Sequence, residues 1–275
     1  MSKIPQSRSY LFVPAIDIHR VPKAFERGAD TVIIDLEDAV SESVKQQCQH
    51  NLQTYLTSDT AKPVWVRVNA VGSDWFAQDI ELVKHLPNII GIVLPKVETA
   101  DDIAQVHCHF PNTPIIALIE TPIGMANVAD IATAQGLYAL SYGFLDICEK
   151  LGVRADSDAG QMVANQLRYQ LLLHSQINGL TAPIECVYPP FNDNDGLTER
   201  VKWWRDLGFS GMLCIHPNQV GIVNTLAKPT DEQLTFAKKV VAYYEQTGLS
   251  AFAIDGEMVD TPVIVQAQKL LQQHA

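Results

Sequence analysis

The sequence is short of positive charge, and this shortage excludes two classes of partner. Its 275 residues include 20 Lys and Arg against 31 Asp and Glu, which gives a formal net charge of −11. Nucleic acids and anionic membrane surfaces are bound through clustered Lys and Arg, so we expect neither as a partner. A site for an anionic substrate must then be built locally, from a few Arg residues, backbone N–H groups or a metal ion.

Long apolar runs and cysteine pairs are also missing. No run approaches the ~20 apolar residues that span a bilayer, and residues 1–6 lack the apolar region of a signal peptide. The five cysteines are odd in number and scattered without a C-x-x-C pair, which is typical of reduced thiols. We therefore expect a cytoplasmic protein, and the 47% hydrophobic content is enough for one large core.

Eight short aliphatic runs predict buried strands separated by helices. Most are apolar throughout instead of alternating, as in parallel strands covered on both faces. Eight strand–helix units within roughly 215 residues predict an α/β TIM (β/α)₈ barrel. The competing doubly wound sheet lacks support, because no Gly-x-Gly-x-x-Gly or phosphate-loop motif is present. The predicted strands lie near Ser9–Pro14, Thr31–Leu36, Val64–Asn69, Ile90–Pro95, Ile115–Glu120, Tyr138–Gly143, Pro183–Tyr188 and Gly211–His216.

The pattern changes after the eighth strand. Asp231–Gln246 reads as a helix, a turn-rich piece follows, and a last helix begins near Pro262. We predict a catalytic barrel over residues 1–228 and a C-terminal helical extension or lid over residues 229–275.

Polar side chains follow the ends of the predicted strands, where barrel enzymes carry their active sites. Glu120 and Asp146 close consecutive strands, so their carboxylates could approach one ion. Mg²⁺ suits a small number of carboxylates completed by water and substrate oxygens, and no His or Cys cluster indicates zinc. The alternative is that both are solvated loop carboxylates.

Cationic and basic side chains at other strand ends leave the mechanism open. Arg67 could grip a substrate carboxylate, or it could pair with Glu37 or Asp38 for structural reasons. A desolvated Lys96 could form a Schiff base with a carbonyl substrate. His216 could act as an acid or base, or could hydrogen-bond a loop.

Nine short motifs occur in order along the chain and together resemble the citrate lyase beta-subunit-like family, which includes malyl-CoA and citramalyl-CoA lyases. They span about residues 8–271, nearly the whole chain. They are Arg8-Ser-Tyr-Leu-Phe-Val-Pro14, Asp35-Leu-Glu-Asp-Ala-Val40, Val66-Arg-Val-Asn69, Leu94-Pro-Lys-Val-Glu98, Glu120-Thr-Pro-Ile-Gly124, Gly143-x-x-Asp146, Asp193-x-Asp195-Gly196-Leu197, Cys214-Ile-His-Pro-Asn-Gln219 and Gly256-Glu-Met-Val-Asp260.

The resemblance implies roles for seven residues. Glu120 and Asp146 match Mg²⁺ ligands, Arg67 and Glu120 match the substrate site, and Glu37 and Asp38 match acidic positions lining that site. Arg8 is expected near the CoA phosphates. The resemblance also implies a homo-oligomer, a trimer or hexamer, in which the C-terminal segment of one copy reaches a neighbour's site. Asp260 in that segment matches the proton-transfer residue.

The expected function is a Mg²⁺-dependent carbon–carbon lyase acting on malyl-CoA, citramalyl-CoA or citryl-CoA, with the CoA thioester as substrate. Two alternatives remain, a CoA-independent aldolase on a 2-keto acid and a catalytically weak metabolite-binding barrel. Leu145 and Met212 stand where similar proteins often carry Glu and Lys. The resemblance therefore leaves open the acid, the direction of reaction, the need for CoA and delivery by an acyl-carrier protein.

Overall fold

Eight parallel strands, each followed by helical chain, form the first part of the molecule. The computed structural model describes residues 7–273. The strands are β1 (Ser9–Pro14), β2 (Thr31–Asp35), β3 (Val64–Arg67), β4 (Ile89–Leu94), β5 (Ile115–Ile119), β6 (Leu137–Tyr142), β7 (Ile184–Glu185) and β8 (Gly211–Cys214).

These strands pair in the spatial order β6-β5-β4-β3-β2-β1-β8-β7, so consecutive strands are neighbours around a ring. The pairs are parallel throughout. The ring is completed where β6 and β7 lie side by side, and the Thr181 N–H donates to the Tyr138 carbonyl at 3.0 Å just before β7. The predicted TIM barrel is confirmed.

Helices cover the outside of this barrel. Ala15–Arg20 and Glu42–Val44 are short 3₁₀ segments. The α-helices are α1 (Val21–Glu26), α2 (Lys45–Leu56), α3 (Phe76–Val83), α4 (Ala100–His107), α5 (Pro122–Ala126), α6 (Val128–Ile131), α7 (Phe144–Leu151), α8 (Asp158–Ile177), α9 (Asn194–Leu207) and α10 (Pro217–Leu226).

Two apolar layers hold the barrel together because side chains alternate between the faces of each strand. One face fills the lumen and the other packs under the helices, as Leu11, Val32 and Val66 do. Burial of both faces explains why the strand sequences are apolar throughout. The lumen layer is Tyr10, Ile33, Trp65, Val93, Ile116, Leu118, Ala139, Ile184 and Leu213.

A second compact unit begins at Lys228, after the first ends at Ala227. It contains α11 (Asp231–Thr247), β9 (Ala251–Ile254), β10 (Glu257–Asp260) and α12 (Thr261–Gln273). It has its own core of Ala237, Val240, Val259, Ile264 and Ala267.

The piece predicted as turn-rich is an antiparallel hairpin, β9 paired with β10. Its turn is Asp255-Gly256, and both residues have positive φ (52° and 88°). An Asp-Gly pair is a strong hairpin signal because glycine accepts the left-handed backbone that a two-residue turn requires. The extension therefore contains the two predicted helices with a hairpin between them, at the position predicted as turn-rich. Among residues 7–273, no helix is both long and apolar enough to cross a bilayer.

Candidate active site

A buried ion pair lies at the carboxyl ends of two neighbouring strands. Asp35 ends β2 and Arg67 ends β3, and the parallel register places them side by side. Arg67 Nε and Nη2 donate to the two oxygens of Asp35, each at 2.7 Å. The neighbouring charge of Asp35 raises the pKa of Arg67 although burial alone would lower it. The fork predicted for a substrate is thus occupied by Asp35, and only Nη1 makes no hydrogen bond to a described residue.

Two carboxylates lie near Arg67 Nη1, and Lys96 is bonded to both of them. Glu37 Oε2 lies 3.4 Å from Arg67 Nη1 and Asp38 Oδ2 lies 3.8 Å away. The Lys96 ammonium group donates to Glu37 Oε1 and, at 3.0 Å, to Asp38 Oδ1. The predicted pairing of Arg67 with Glu37 and Asp38 therefore exists, but it is secondary to the pair with Asp35.

Lys96 is held as a cation in this arrangement. Burial alone would lower its pKa, but hydrogen bonds and charges from Glu37 and Asp38 raise it instead. A Schiff-base lysine must lose its proton before it attacks a carbonyl. The geometry therefore opposes the Schiff-base alternative.

Glu120 and the first turn of α7, which carries Asp146, lie on the next part of the rim. Glu120 follows β5, is almost fully buried, and its Oε2 accepts the Lys96 backbone N–H at 3.1 Å. Burial raises the pKa of Glu120 to about 8, Arg67 opposes this, and the charges of Glu37 and Asp146 add to it. Asp146 lies in the first turn of α7, not at a strand end. Gly143, the N-cap of α7, packs closely against Glu120, since a Cβ there would lie 2.7 Å from Glu120 Cγ.

The donor set fits a divalent cation bound by two carboxylates. Asp146 is only half-buried and forms no hydrogen bond or ion pair with another described residue. The rim carries the carboxylates of Asp35, Glu37, Asp38, Glu120 and Asp146 but only the cations of Arg67 and Lys96. Within residues 7–273 no group of three or more His, Cys, Asp or Glu could hold a metal. A hard ion with two protein ligands, completed by water and substrate, suits this site.

A buried polar network under the rim fixes the loop after β2. The ammonium group of Lys45 donates to the carbonyls of Leu36 and Glu37 and to Asn69 Oδ1. Asn69 Nδ2 donates to Asp79 Oδ2 at 2.6 Å, and burial raises the pKa of Asp79. Sequence reasoning named Asn69 as a strand-end residue but missed Lys45 and Asp79. Their helical positions in α2 and α3 carry no signal that they turn inward.

A cavity of about 550 Å³ opens beside this rim, at the carboxyl ends of β1 and β8. Its floor includes Phe12, whose ring lies 4.7 Å below the guanidinium carbon of Arg67. Its wall includes Arg20, Lys23 and Arg27, and no Asp or Glu is among the described residues that line it. The cavity is thus lined by three cations, of which Arg20 is paired with Asp17 at 3.1 Å, and it adjoins Arg67 through Phe12.

Neither Arg8, which the resemblance connected with the CoA phosphates, nor Met212 lines this cavity. Arg8 precedes β1 and therefore lies at the opposite, amino-terminal end of the barrel, where Nε and Nη2 bond Asp30 at 2.9 and 3.0 Å. Met212 lies within β8 and is fully buried in the layer under the helices, so it cannot substitute for a phosphate-binding lysine.

Three further residues are placed as follows. Leu145 is half exposed beside Asp146 in α7. His216 is the N-cap of α10, with Nδ1 accepting the Asn218 N–H at 3.2 Å, which is the loop hydrogen bond given as one alternative. Asp260 ends β10 in the second unit, and its proton-transfer role stays a prediction.

Comparison with known proteins identifies the family of this chain. A family model described as HpcH/HpaI aldolase/citrate lyase matches residues 8–217. The chain belongs to this family. The prediction of an enzyme similar to citrate lyase beta subunits is thereby confirmed.

Relatives in the family match the chain over nearly its full length. The (3S)-malyl-CoA thioesterase of Cereibacter sphaeroides is 33% identical over 96% of this chain and 93% of that protein. The citrate lyase subunit beta of Escherichia coli K12 is 29% identical over 96% and 92%. A crystal structure of CitE from Mycobacterium tuberculosis in complex with magnesium, acetoacetate and coenzyme A has a TM-score of 0.86. It is 30% identical and covers 98% of this chain and 99% of that one.

Proposed function

We propose that the protein is a Mg²⁺-dependent carbon–carbon lyase that acts on a short 3-hydroxy acyl-CoA such as malyl-CoA, citramalyl-CoA or citryl-CoA. The products of cleavage are an acyl-CoA and a 2-keto acid. The observation that carries the proposal is the packing of Glu120 against Gly143 at the start of α7, the helix of Asp146, on the same rim as Arg67 and its neighbouring cavity. The Mycobacterium tuberculosis relative, solved with magnesium, acetoacetate and coenzyme A, supports it.

Glu120 and Asp146 would hold the metal. When bound, Mg²⁺ would supply Lewis-acid polarisation of the oxygen that becomes the keto group. Arg67 would also contribute, because its Nη1 forms no hydrogen bond with a described residue and can donate to a substrate carboxylate. Phe12 beneath the guanidinium and Asp35 beside it fix the direction in which Nη1 points.

The acidic residues of the chain complete the proposed reaction. In cleavage the C3 hydroxyl would give its proton to a rim carboxylate such as Asp38, the carbon–carbon bond would break, and its electrons would pass to the thioester enolate. Asp260 would then protonate the enolate carbon, and in condensation it would remove that proton. We propose that this residue comes from a neighbouring copy in a homo-oligomer. Glu37 and Asp38 would act through their contacts with Arg67 and Lys96.

The cationic cavity would take the CoA arm of the substrate. CoA carries a diphosphate and a 3′-phosphate, and Arg and Lys bind such groups by charge-assisted hydrogen bonds. Arg20, Lys23 and Arg27 supply these donors at the wall, and the apolar floor suits the pantetheine chain. Arg20, Lys23 and Arg27, and not Arg8, are therefore the proposed phosphate contacts. A cavity of this kind favours a CoA thioester over a free keto acid, which has no phosphate groups.

Thioester hydrolysis is a second candidate. It is favoured by the 33% identical relative from Cereibacter sphaeroides, which is named a (3S)-malyl-CoA thioesterase. Both reactions use the same substrate and differ in the bond that breaks. Cleavage of malyl-CoA gives glyoxylate and acetyl-CoA, whereas hydrolysis consumes water and gives malate and free CoA.

Product analysis separates the two. Purified protein is incubated with malyl-CoA, citramalyl-CoA or citryl-CoA, with Mg²⁺ or with EDTA, and keto acid and free thiol are measured in the same sample. Keto acid formed in step with acetyl-CoA, and lost with EDTA, supports the lyase. Thiol without keto acid supports the hydrolase, and neither product from any thioester contradicts both proposals.

A further inference from the structure

Arg67 Nη1 forms no hydrogen bond with a described residue, although two carboxylates lie within ion-pair distance of it. Nη1 lies 3.4 Å from Glu37 Oε2 and 3.8 Å from Asp38 Oδ2, and it bonds neither. A guanidinium beside a carboxylate ordinarily closes to about 2.7–2.9 Å. Something in the site therefore holds the Glu37 carboxylate away from Arg67.

Lys96 accounts for this gap. Glu37 Oε1 is bonded by the Lys96 ammonium group, and Oε2 accepts the Asp38 backbone N–H at 3.1 Å. The backbone of Lys96 is itself held in one conformation. Its own N–H donates to Glu120 Oε2, and its φ of 53° is the left-handed conformation that non-glycine residues seldom adopt. Strained backbone of this kind persists where surrounding contacts enforce it, commonly at functional sites.

We infer that Lys96 is a positioning residue that keeps Arg67 Nη1 free for the substrate carboxylate. The inference rests on the proposed function only in naming that ligand. Glu37 is only 5% exposed, so its charge needs a cationic partner. With the Lys96 ammonium group removed, Arg67 Nη1 is the nearest cation, and Glu37 closes onto it. The donor that would receive the substrate is then occupied by the protein's own carboxylate.

The first test needs no substrate. In a crystal structure of Lys96→Met without ligands, we expect the distance from Arg67 Nη1 to Glu37 Oε2 to fall from 3.4 Å to about 2.9 Å. An unchanged or longer distance overturns the inference. This result decides the matter even if the wild-type protein cleaves no thioester, so failure of the proposed function is recognised separately.

The second test measures pyruvate binding in the presence of Mg²⁺ by calorimetry. Lys96→Met is expected to weaken binding roughly tenfold or more, the loss of one charge-assisted hydrogen bond. Lys96→Arg should retain binding, because the cation remains. Lys202→Met is the matched control, since it removes an exposed lysine paired with Glu199 at 2.8 Å and should change nothing.

Two double variants separate positioning from a general change of charge. Glu37→Gln added to Lys96→Met should restore most of the binding, because a neutral amide does not hold the guanidinium. Asp38→Asn in the same background restores the same net charge but should restore less binding, since Asp38 is farther from Nη1 and half exposed. Equal recovery in the two double variants, or recovery in neither, contradicts the inference.

Discussion

Substitution of Asp35 by Asn should show how strongly the site depends on one buried carboxylate. Asp35 is fully buried and accepts four hydrogen bonds, two from Arg67 at 2.7 Å and one each from the N–H groups of Glu37 at 2.9 Å and Ala39 at 3.1 Å. An Asn side chain has almost the same shape, but its NH₂ group would face donors and the charge would be gone. Arg67 would be left buried without its principal partner.

The expected loss of stability follows from that geometry. Breaking a buried ion pair by removing one partner costs about 3–5 kcal/mol of the free energy of unfolding. For a chain of this size that corresponds to a fall in Tm of about 10 °C. The value of kcat/KM should also fall, because Arg67 Nη1 no longer has a fixed direction. Urea unfolding followed by tryptophan fluorescence, together with the product assay, measures both effects.

Asp30→Asn is the matched control. Asp30 forms the same two-point pair with Arg8 at the other end of the barrel, but both side chains are partly exposed, at 22% and 30%. We expect a loss of about 1 kcal/mol or less and unchanged activity. The reasoning is refuted if the two variants lose similar stability, or if Asp35→Asn keeps full kcat/KM.

Three further variants test the remaining parts of the site. Asp146→Asn should abolish both Mg²⁺ binding, measured by calorimetric titration, and activity. Full activity in this variant would contradict the assignment of Asp146 as a metal ligand. Asp260→Asn should lower kcat by roughly 10²–10⁴, the usual scale for a general acid or base, with keto acid binding retained; collapse of that binding would instead make Asp260 structural. Alanine at both Arg20 and Lys23 should raise KM for the acyl-CoA roughly tenfold or more and leave pyruvate binding unchanged. A parallel loss of pyruvate binding would contradict the assignment of the cavity to the CoA arm.

The strands of the barrel could be predicted closely because a strand buried on both faces is apolar at nearly every position, and such runs are visible in the sequence. All eight begin within one residue of their predicted starts, and Ser9–Pro14 agrees at both ends. The largest difference in length is at β7, which was expected over Pro183–Tyr188 and pairs only over Ile184–Glu185. Pro183 at the start of that run and Pro189 directly after it lack the N–H that a ladder requires.

The partners within the site could not be predicted in the same way. Strand-end position identified Glu120, Arg67 and Lys96 as candidates, since those ends converge in any such barrel. The choice of Asp35 as the partner of Arg67 depends on the register between β2 and β3, which no local pattern reports. The position of Arg8 was not foreseen for a related reason. Arg8 directly precedes β1, so it lies at the amino-terminal end of the barrel whatever its charge.

Acidic and basic side chains are separated from each other at the carboxyl end of the barrel strands. Acidic side chains gather around β2, β5 and α7, and basic ones lie beside β1. For an acyl-CoA substrate as proposed, the phosphates would be drawn to the basic side and kept away from the carboxylates. The ligand would then be oriented by charge before it is bound. Added salt would blunt this alignment, so it should slow capture of dilute substrate while leaving the turnover of bound substrate almost untouched.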